Sequence, residues 1–360
     1  MAKSAVDVIG SAFEHTRKQL TEPFRFSQWW RLAVLGLATG EISSGGGCSN
    51  FRGLGSLPNA GHHSQNLMES GNPLSRLGLD PATIAGIIIV AIVGFLILGL
   101  IFLYISSISR FMLFESILRR YCELSASWDR WQRQGLRFFG WQLAVSIISL
   151  AVGAMLFIPL LLPVLAVLRR NQEPDLALLV AFLPMISAFL TFGLVLLLIR
   201  VLAKDFVVPV MAVENVGVLE GWRRLFEAIK VDPWGFAGYL GMKILLAIAA
   251  GIFFGILSAI AVVVVLIPVA IVAVVFVIGA KAAGLGWGVF TITAAIVAGV
   301  LLFGAILYLV GLVCVPIAIF FPAYAMYFFA ERFPALHVQL YPAPATPSPL
   351  PPAASPLPAV

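Results

Sequence analysis

The sequence predicts an all-α integral membrane protein of about six transmembrane helices in three repeated units, each preceded by an amphipathic helix at the cytoplasmic interface. Three observations predict it. Of 360 residues, 61% are hydrophobic and 11% charged, against roughly 45–50% and 25% in soluble domains, so lipid is the solvent for most of the chain. Ile87 to Ile105 carries no charged residue and has the roughly 20-residue length that crosses about 30 Å of hydrocarbon. Three times, finally, a charged and aromatic stretch leads into a long apolar one: Ala12-Phe13 to Phe24-Arg25-Phe26 and Trp29-Trp30, Ser127-Trp128 to Phe138-Phe139 and Trp141, and Gly221-Trp222 to Trp234 and Phe236.

The first unit covers about residues 1–110. Its amphipathic helix sets Ala5, Ile9, Ala12, Phe13 and Leu20 against Lys3, Asp7, Glu14, Arg17 and Lys18. The first span, about 26–39, is short and contains Arg31; it crosses tilted or in a thinned bilayer, or enters only part way. A Gly/Ser-rich outer loop, 40–81, then leads to the span at Ile87.

In the second unit, 111–203, Phe114, Ile117, Leu118, Tyr121, Leu124, Trp128 and Trp131 recur at helical spacing opposite Arg119, Arg120, Glu123, Arg130 and Arg133. Leu143 to Leu168 forms a span that Pro159 and Pro163 should kink or end, and Leu176 to Ile199 forms the next. In the third unit, 204–335, Val218, Trp222, Leu225, Phe226 and Ile229 oppose Arg223, Arg224, Glu227 and Lys230. The apolar runs 244–280 and 287–329 are each nearly long enough for two crossings. Neither contains a hairpin turn, and Pro268, Pro316 and Pro322 fall late, so each reads as one crossing plus a bent extension. Residues 341–360 alternate Pro with Ala and Ser, a disordered cytoplasmic tail.

Charge supplies the orientation. Four Lys/Arg precede the first span and Arg31 lies early within it, six lie in 110–137, four in 204–230 and three more at span ends, while only Arg52, Arg76, Arg169, Arg170 and Lys281 fall in the intervening loops. The positive-inside rule places both termini in the cytoplasm of a cell with an inner membrane. The net charge of +6 is spread over three interfacial helices rather than one stripe, which favours anionic lipid headgroups as partner and disfavours nucleic acid. Trp29, Trp30, Trp128, Trp131, Trp141 and Trp234 are the expected interfacial anchors.

Signatures of catalysis are missing: no HExxH, GxSxG, GxxxxGK[ST] or Cys-x-x-Cys occurs. His62-His63 with Cys48 and Asp80 matches no standard metal spacing, and no cofactor is implied. Cys48 outside, Cys122 inside and Cys314 in the membrane argue against an intrachain disulfide. The span interiors hold Ser146, Ser149, Ser187, Thr191, Ser258, Thr291 and Thr293 but no ionisable group, with Lys243 near an inner end, which disfavours a coupled carrier. Ala247, Gly251 and Gly255 form a small-residue ladder for close helix packing within the chain. Asp205 and Glu214, flanking Pro209, are expected to pair with Lys204, Arg223 or Arg224. With Trp222 they complete the set of functional candidates: Asp205, Pro209, Glu214, Trp222, Arg223 and Arg224.

Pro23-Phe24 with Trp29-Trp30, the Gly45-Gly46-Gly47 run, and Asp205-Phe206-Val207-Val208-Pro209 followed by Glu214 and Gly221-Trp222 resemble an uncharacterised group of bacterial multi-span membrane proteins. That group is related to the membrane domain of some glycerophosphoryl diester phosphodiesterases. The soluble phosphodiesterase domain of such relatives has no counterpart here, so the resemblance implies no enzyme activity. The expectation is a non-enzymatic membrane-organising or accessory component of the inner membrane; the alternatives are a transporter or lipid-translocating protein, and an intramembrane enzyme built on Asp205 and Glu214.

Overall fold

The computed structural model describes residues 4–22, 24–41, 81–170, 176–282, 284 and 288–341. The Gly45 run, His62, His63, Cys48, Asp80, nearly all of the 40–81 loop and the Pro-rich tail after Tyr341 lie outside the described residues. Among those described, the structure is all-helical and contains no strand. Two short helices come first, α1 (Asp7–Thr21) and α2 (Phe26–Thr39), followed by three long ones, α3 (Pro81–Arg119), α4 (Leu124–Arg170) and α5 (Leu176–Leu202). A π-helical turn (Ala203–Val207) joins α5 to α6 (Val208–Glu214). Then come α7 (Val218–Val231), α8 (Pro233–Ala282), α9 (Val289–Val313), α10 (Val315–Ala330) and α11 (Pro334–Leu340).

Among the described residues, five stretches are long and apolar enough to cross a membrane: Ala85–Arg119, Leu124–Ile158, Leu183–Glu214, Pro233–Gly279 and Thr291–Val313. At about 1.5 Å per residue, the 50 residues of α8 run about 75 Å, more than twice the hydrocarbon thickness. The surplus is used at one end. There α1, α2, the last turns of α3, the first turns of α4, the π turn with α6, α7, the start of α8, α10 and α11 build one hydrophobic core. The other halves of the long helices project from it, with Ile87 to Phe102, Ile147 to Leu150 and Val272 to Ile278 largely uncovered by the chain.

The apolar run 244–280 belongs to one helix that continues through Pro268. The run 287–329 divides at Cys314, and its second part, α10, is a 16-residue helix buried on nearly every side, as an all-apolar helix inside a protein must be. α4 likewise continues to Arg170 past Pro159 and Pro163, where the sequence predicts a kink or stop.

Two of the three expected interfacial helices are separate elements, α1 and α7. The second is not: Phe114 to Arg119 completes α3, Arg120 ends it in a left-handed conformation (φ 56°), and Leu124 to Trp131 opens α4. This break is stabilised from α1 and α2. The last carbonyls of a helix lack intrahelical donors, and here Gln19 Nε2 donates to Ser116 O (3.0 Å) while His15 meets Ile117 O (3.1 Å). Gln28 Nε2 donates to Arg120 O (2.9 Å) and Arg31 Nη1 to Cys122 O (3.1 Å). The buried face of α1 therefore contains His15, Thr16 and Gln19 beside Ala12 and Leu20, whereas Phe13, expected on that face, is exposed. Polar residues face inward because the groups they cover are carbonyls.

Close approaches at two glycines, one against backbone and one against a side chain, tighten the packed end. A Cβ on Gly135 of α4 would stand 3.0 Å from Ile108 Cα of α3, and one on Gly311 of α9 would stand 2.9 Å from Leu37 Cδ1 of α2. In the Ala247, Gly251, Gly255 ladder, Gly251 is buried and its neighbours are half-buried, consistent with packing inside the chain.

Candidate functional site: a buried ion cluster at the packed end

The π turn is the local feature that builds the site. One widened turn between two helices re-aims the side chains it carries, and such turns concentrate at functional positions. Here it presents Lys204 and Asp205, which diverge. Lys204 Nζ donates to Glu41 Oε2 (2.8 Å), just past the left-handed C-cap Gly40 of α2. Asp205 is ion-paired with Lys243 and accepts a hydrogen bond from the Tyr239 hydroxyl (2.9 Å). Tyr239 and Lys243 are four residues apart on α8 and so share a face. Tyr239 is held by three rings on two elements: stacked on Tyr324 (centroids 5.1 Å apart) and Phe328 (4.7 Å) of α10, and tilted against Phe206 (5.1 Å) of the π turn.

Arg110 of α3 completes the group. It lines, with Glu41, Lys204, Asp205, Pro209, Pro322 and Met326, a cavity of about 30 Å³. Glu41 and Asp205 are both buried. An unpaired charge in such a place costs several kcal/mol, roughly, and the pairs avoid most of that.

Other charged groups at this end act as clips. Buried Glu115 of α3 accepts from Trp131 Nε1 (2.6 Å), pairs with Arg119 (3.0 Å) and is bonded to Arg130, tying α3 to α4. Asp232 accepts from Gly235 N (2.9 Å) at the start of α8 and pairs with Arg332 (2.6 Å), whose bond holds the Asp232 carboxyl below the usual carboxylate range. Burial pushes the Cys122 thiol up to about 11, which leaves it an inert core residue.

Of the residues singled out in the sequence, Asp205 and Pro209 meet in the cavity. Glu214, Trp222, Arg223 and Arg224 gather separately around α7: Arg224 lies 3.6 Å from Glu214, and Arg223 (2.6 Å) and Arg224 (3.1 Å) both pair with Glu220. Asp205 and Glu214 are thus not a carboxylate pair, and Asp205 chooses Lys243 over Lys204, Arg223 and Arg224. Glu41, Arg110, Tyr239 and Lys243 were missed; the four-residue spacing of Tyr239 and Lys243 was the one available signal. The longer stretches that the structure shows able to cross include ionisable groups, Arg110, Lys204, Asp205 and Lys243 among them, all outside the span interiors read from the sequence. They fall in the surplus length that a hydropathy window counts as span.

Trp29 donates to Leu312 O (3.0 Å), Trp131 stacks on Phe111, and Trp141 lies between Phe138 and Trp222. Trp128 packs edge-on to Tyr104, Trp30 lies beside Arg31, and Trp234 is the most exposed of the six. Cys314 is buried where α9 meets α10 and Cys122 is a free buried thiol, while Cys48, on which the disulfide expectation also turns, lies outside the described residues. Among the described residues no group of three or more His, Cys, Asp or Glu has the geometry to hold a metal ion.

A family model described as a family of unknown function (DUF7544) matches residues 3–339. No curated protein and no solved structure matches the chain. The resemblance to the phosphodiesterase-associated membrane domain receives no support from these comparisons.

Proposed function

We propose that this chain, a member of the family of unknown function DUF7544, acts without catalysis as a membrane-organising or accessory component of the inner membrane. The observation that carries this reading is the uncovered apolar length of the five long helices, set beside an end where the helices pack on one another around one core. Membrane helices whose faces the chain itself leaves free are solvated by lipid or by other membrane proteins. In the proposed arrangement α2 is the first of six crossings, the three units repeat, both termini are cytoplasmic, and the packed end sits at the inner surface against anionic headgroups. A reporter fused after Gly47 tests the count: a cytoplasmic signal there removes the six-crossing arrangement.

A second reading, a transporter or lipid-translocating protein, draws on the ion cluster, because ionisable residues at membrane depth mark substrate or ion pathways. The span hydroxyls do not favour it. Ser187 donates to Pro184 O (2.7 Å) and Thr191 to Ser187 O (2.8 Å), so both serve their own helix. Full-length protein in phosphatidylethanolamine and phosphatidylglycerol liposomes separates the readings. The accessory role predicts no lipid scrambling or solute flux above protein-free vesicles, together with spin-labelled phosphatidylglycerol immobilised in preference to phosphatidylcholine. Flux that disappears in Asp205→Asn overturns it in favour of transport.

A further inference from the structure

We propose that the cavity at the π turn binds one monatomic anion of the halide class, held by Arg110. The charges do not balance among the described residues that form the cluster. Lys204 is matched by Glu41 and Lys243 by Asp205, which leaves Arg110 as the cation in excess, and Arg200 adds further positive potential from α5. The Nε of Arg110 is sealed from solvent and finds no acceptor. A buried donor on a charged group normally has a partner, and one left without is a sign of a missing ligand.

The space beside it has the right size. A cavity needs about 10–15 Å³ to admit a water, and this one offers about 30 Å³. That suits a single ion somewhat larger than water, and excludes phosphate or a carboxylate metabolite. Glu41 and Asp205 also line the cavity and repel an anion. Each is engaged by a lysine, and Asp205 by Tyr239 as well, so their fields are dipolar and short in range, whereas the charge of Arg110 is not offset in this way. The rest of the lining is apolar, Leu113, Phe114, Pro322 and Met326 among it, and the resulting low dielectric strengthens a charge-assisted bond from Nε. This inference stands whether the protein organises lipid or carries cargo.

The test uses full-length protein in detergent micelles or nanodiscs, unfolded thermally in sodium chloride or bromide against sodium gluconate at equal ionic strength. Gluconate is too large for the cavity. The proposal expects a saturable, halide-specific rise in the unfolding midpoint, and a halide affinity about tenfold weaker or worse in Arg110→Met, the loss of one charge-assisted hydrogen bond. Arg110→Lys keeps the charge and retains a weaker response. If Arg110→Met fails to fold, anomalous scattering from bromide-soaked crystals of the unaltered protein decides, with the peak expected beside Arg110. Equal midpoints in chloride and gluconate, a halide response that persists in Arg110→Met, or a bromide peak confined to other positions overturns the site.

Discussion

The two halves of α3 belong to one stretch long and apolar enough to cross a membrane and behave oppositely. From Ile87 to Phe102 the helix is Ile, Val, Leu, Phe, Ala and Gly with no polar residue, and its side chains are left uncovered; Phe95 is 76% exposed. From Ser106 to Ile117 it is buried within protein, and there Ser106, Ser107, Ser109, Arg110, Glu115 and Ser116 alternate with Ile108, Phe111 and Phe114. Hydropathy reports that a segment avoids water, not which apolar solvent replaces it. Small hydroxyls and ions among the apolar residues mark contact with other helices, which offer them partners: Ser107 bonds Gln142 Oε1 of α4 (3.1 Å), and Glu115 bonds Trp131 of α4. Lipid supplies no such partners, so the projecting half has none to satisfy.

The largest expected difference between the two regions comes from Asp205→Ala. It leaves Lys243 buried without its carboxylate and removes the acceptor of Tyr239, a loss of about 3–5 kcal/mol. Phe95→Ala, which removes far more apolar surface but from the projecting half, is expected to change stability by about 0.5 kcal/mol or less. Denaturant unfolding in micelles compares them. The double variant Asp205→Leu with Lys243→Met should recover most of the loss, because it removes both charges. An Asp205→Ala variant as stable as Phe95→Ala would mean that the cluster is wet and the boundary between the two regions is misplaced.

How much of this was legible in the sequence follows the same division. The projecting halves were fully legible, since unbroken apolar runs suffice to find them. So was the amphipathic character of α1 and α7. The packed end was not. Its ion pairs join Glu41 to Lys204 and Asp205 to Lys243 across large sequence separations, which periodicity within one element cannot report. The inward-facing His15 and Gln19 looked like the wrong residues for a buried face because the carbonyls they cover belong to α3, about a hundred residues away. The continuation of α4 and α8 through proline was illegible for a further reason: one helix tolerates a missing N–H where its neighbours and local adjustments take up the freed group.

His15 gives the next effect in size, and it has a pH signature that the projecting halves cannot produce. Its Nε2 donates to Ile117 O and its Nδ1 accepts from the Tyr327 hydroxyl (3.1 Å), so the neutral ring fits. Burial first, and the charge of Arg120 second, lower its pKa from 6.5 to about 4. The unfolded chain then binds the proton more readily than the folded one. The stabilisation is complete above about pH 6.5 and is lost as pH falls from there toward 4, about 3 kcal/mol over the window. In His15→Gln the slope between pH 6.5 and 5, above the range where most carboxylates titrate, should flatten; an unchanged slope would locate the acid sensitivity in another group.

The smallest effect isolates packing from charge. Gly135 in α4 and Gly99 in α3 are both helical glycines, so alanine improves intrinsic helix propensity at each by about 0.5–1 kcal/mol. At Gly99, in the projecting half, the added methyl meets nothing within 4 Å, and Gly99→Ala is expected to leave stability unchanged or slightly raised. At Gly135 the methyl would stand 3.0 Å from Ile108 Cα. A backbone atom cannot swing aside as a side-chain tip can, so the two helices must separate, at a cost of about 1–3 kcal/mol that exceeds the propensity gain. The sign of the difference between these two alanines is therefore the most direct measure of where protein replaces lipid around α3, and equal effects at the two positions would mean that α3 and α4 do not close on each other as described.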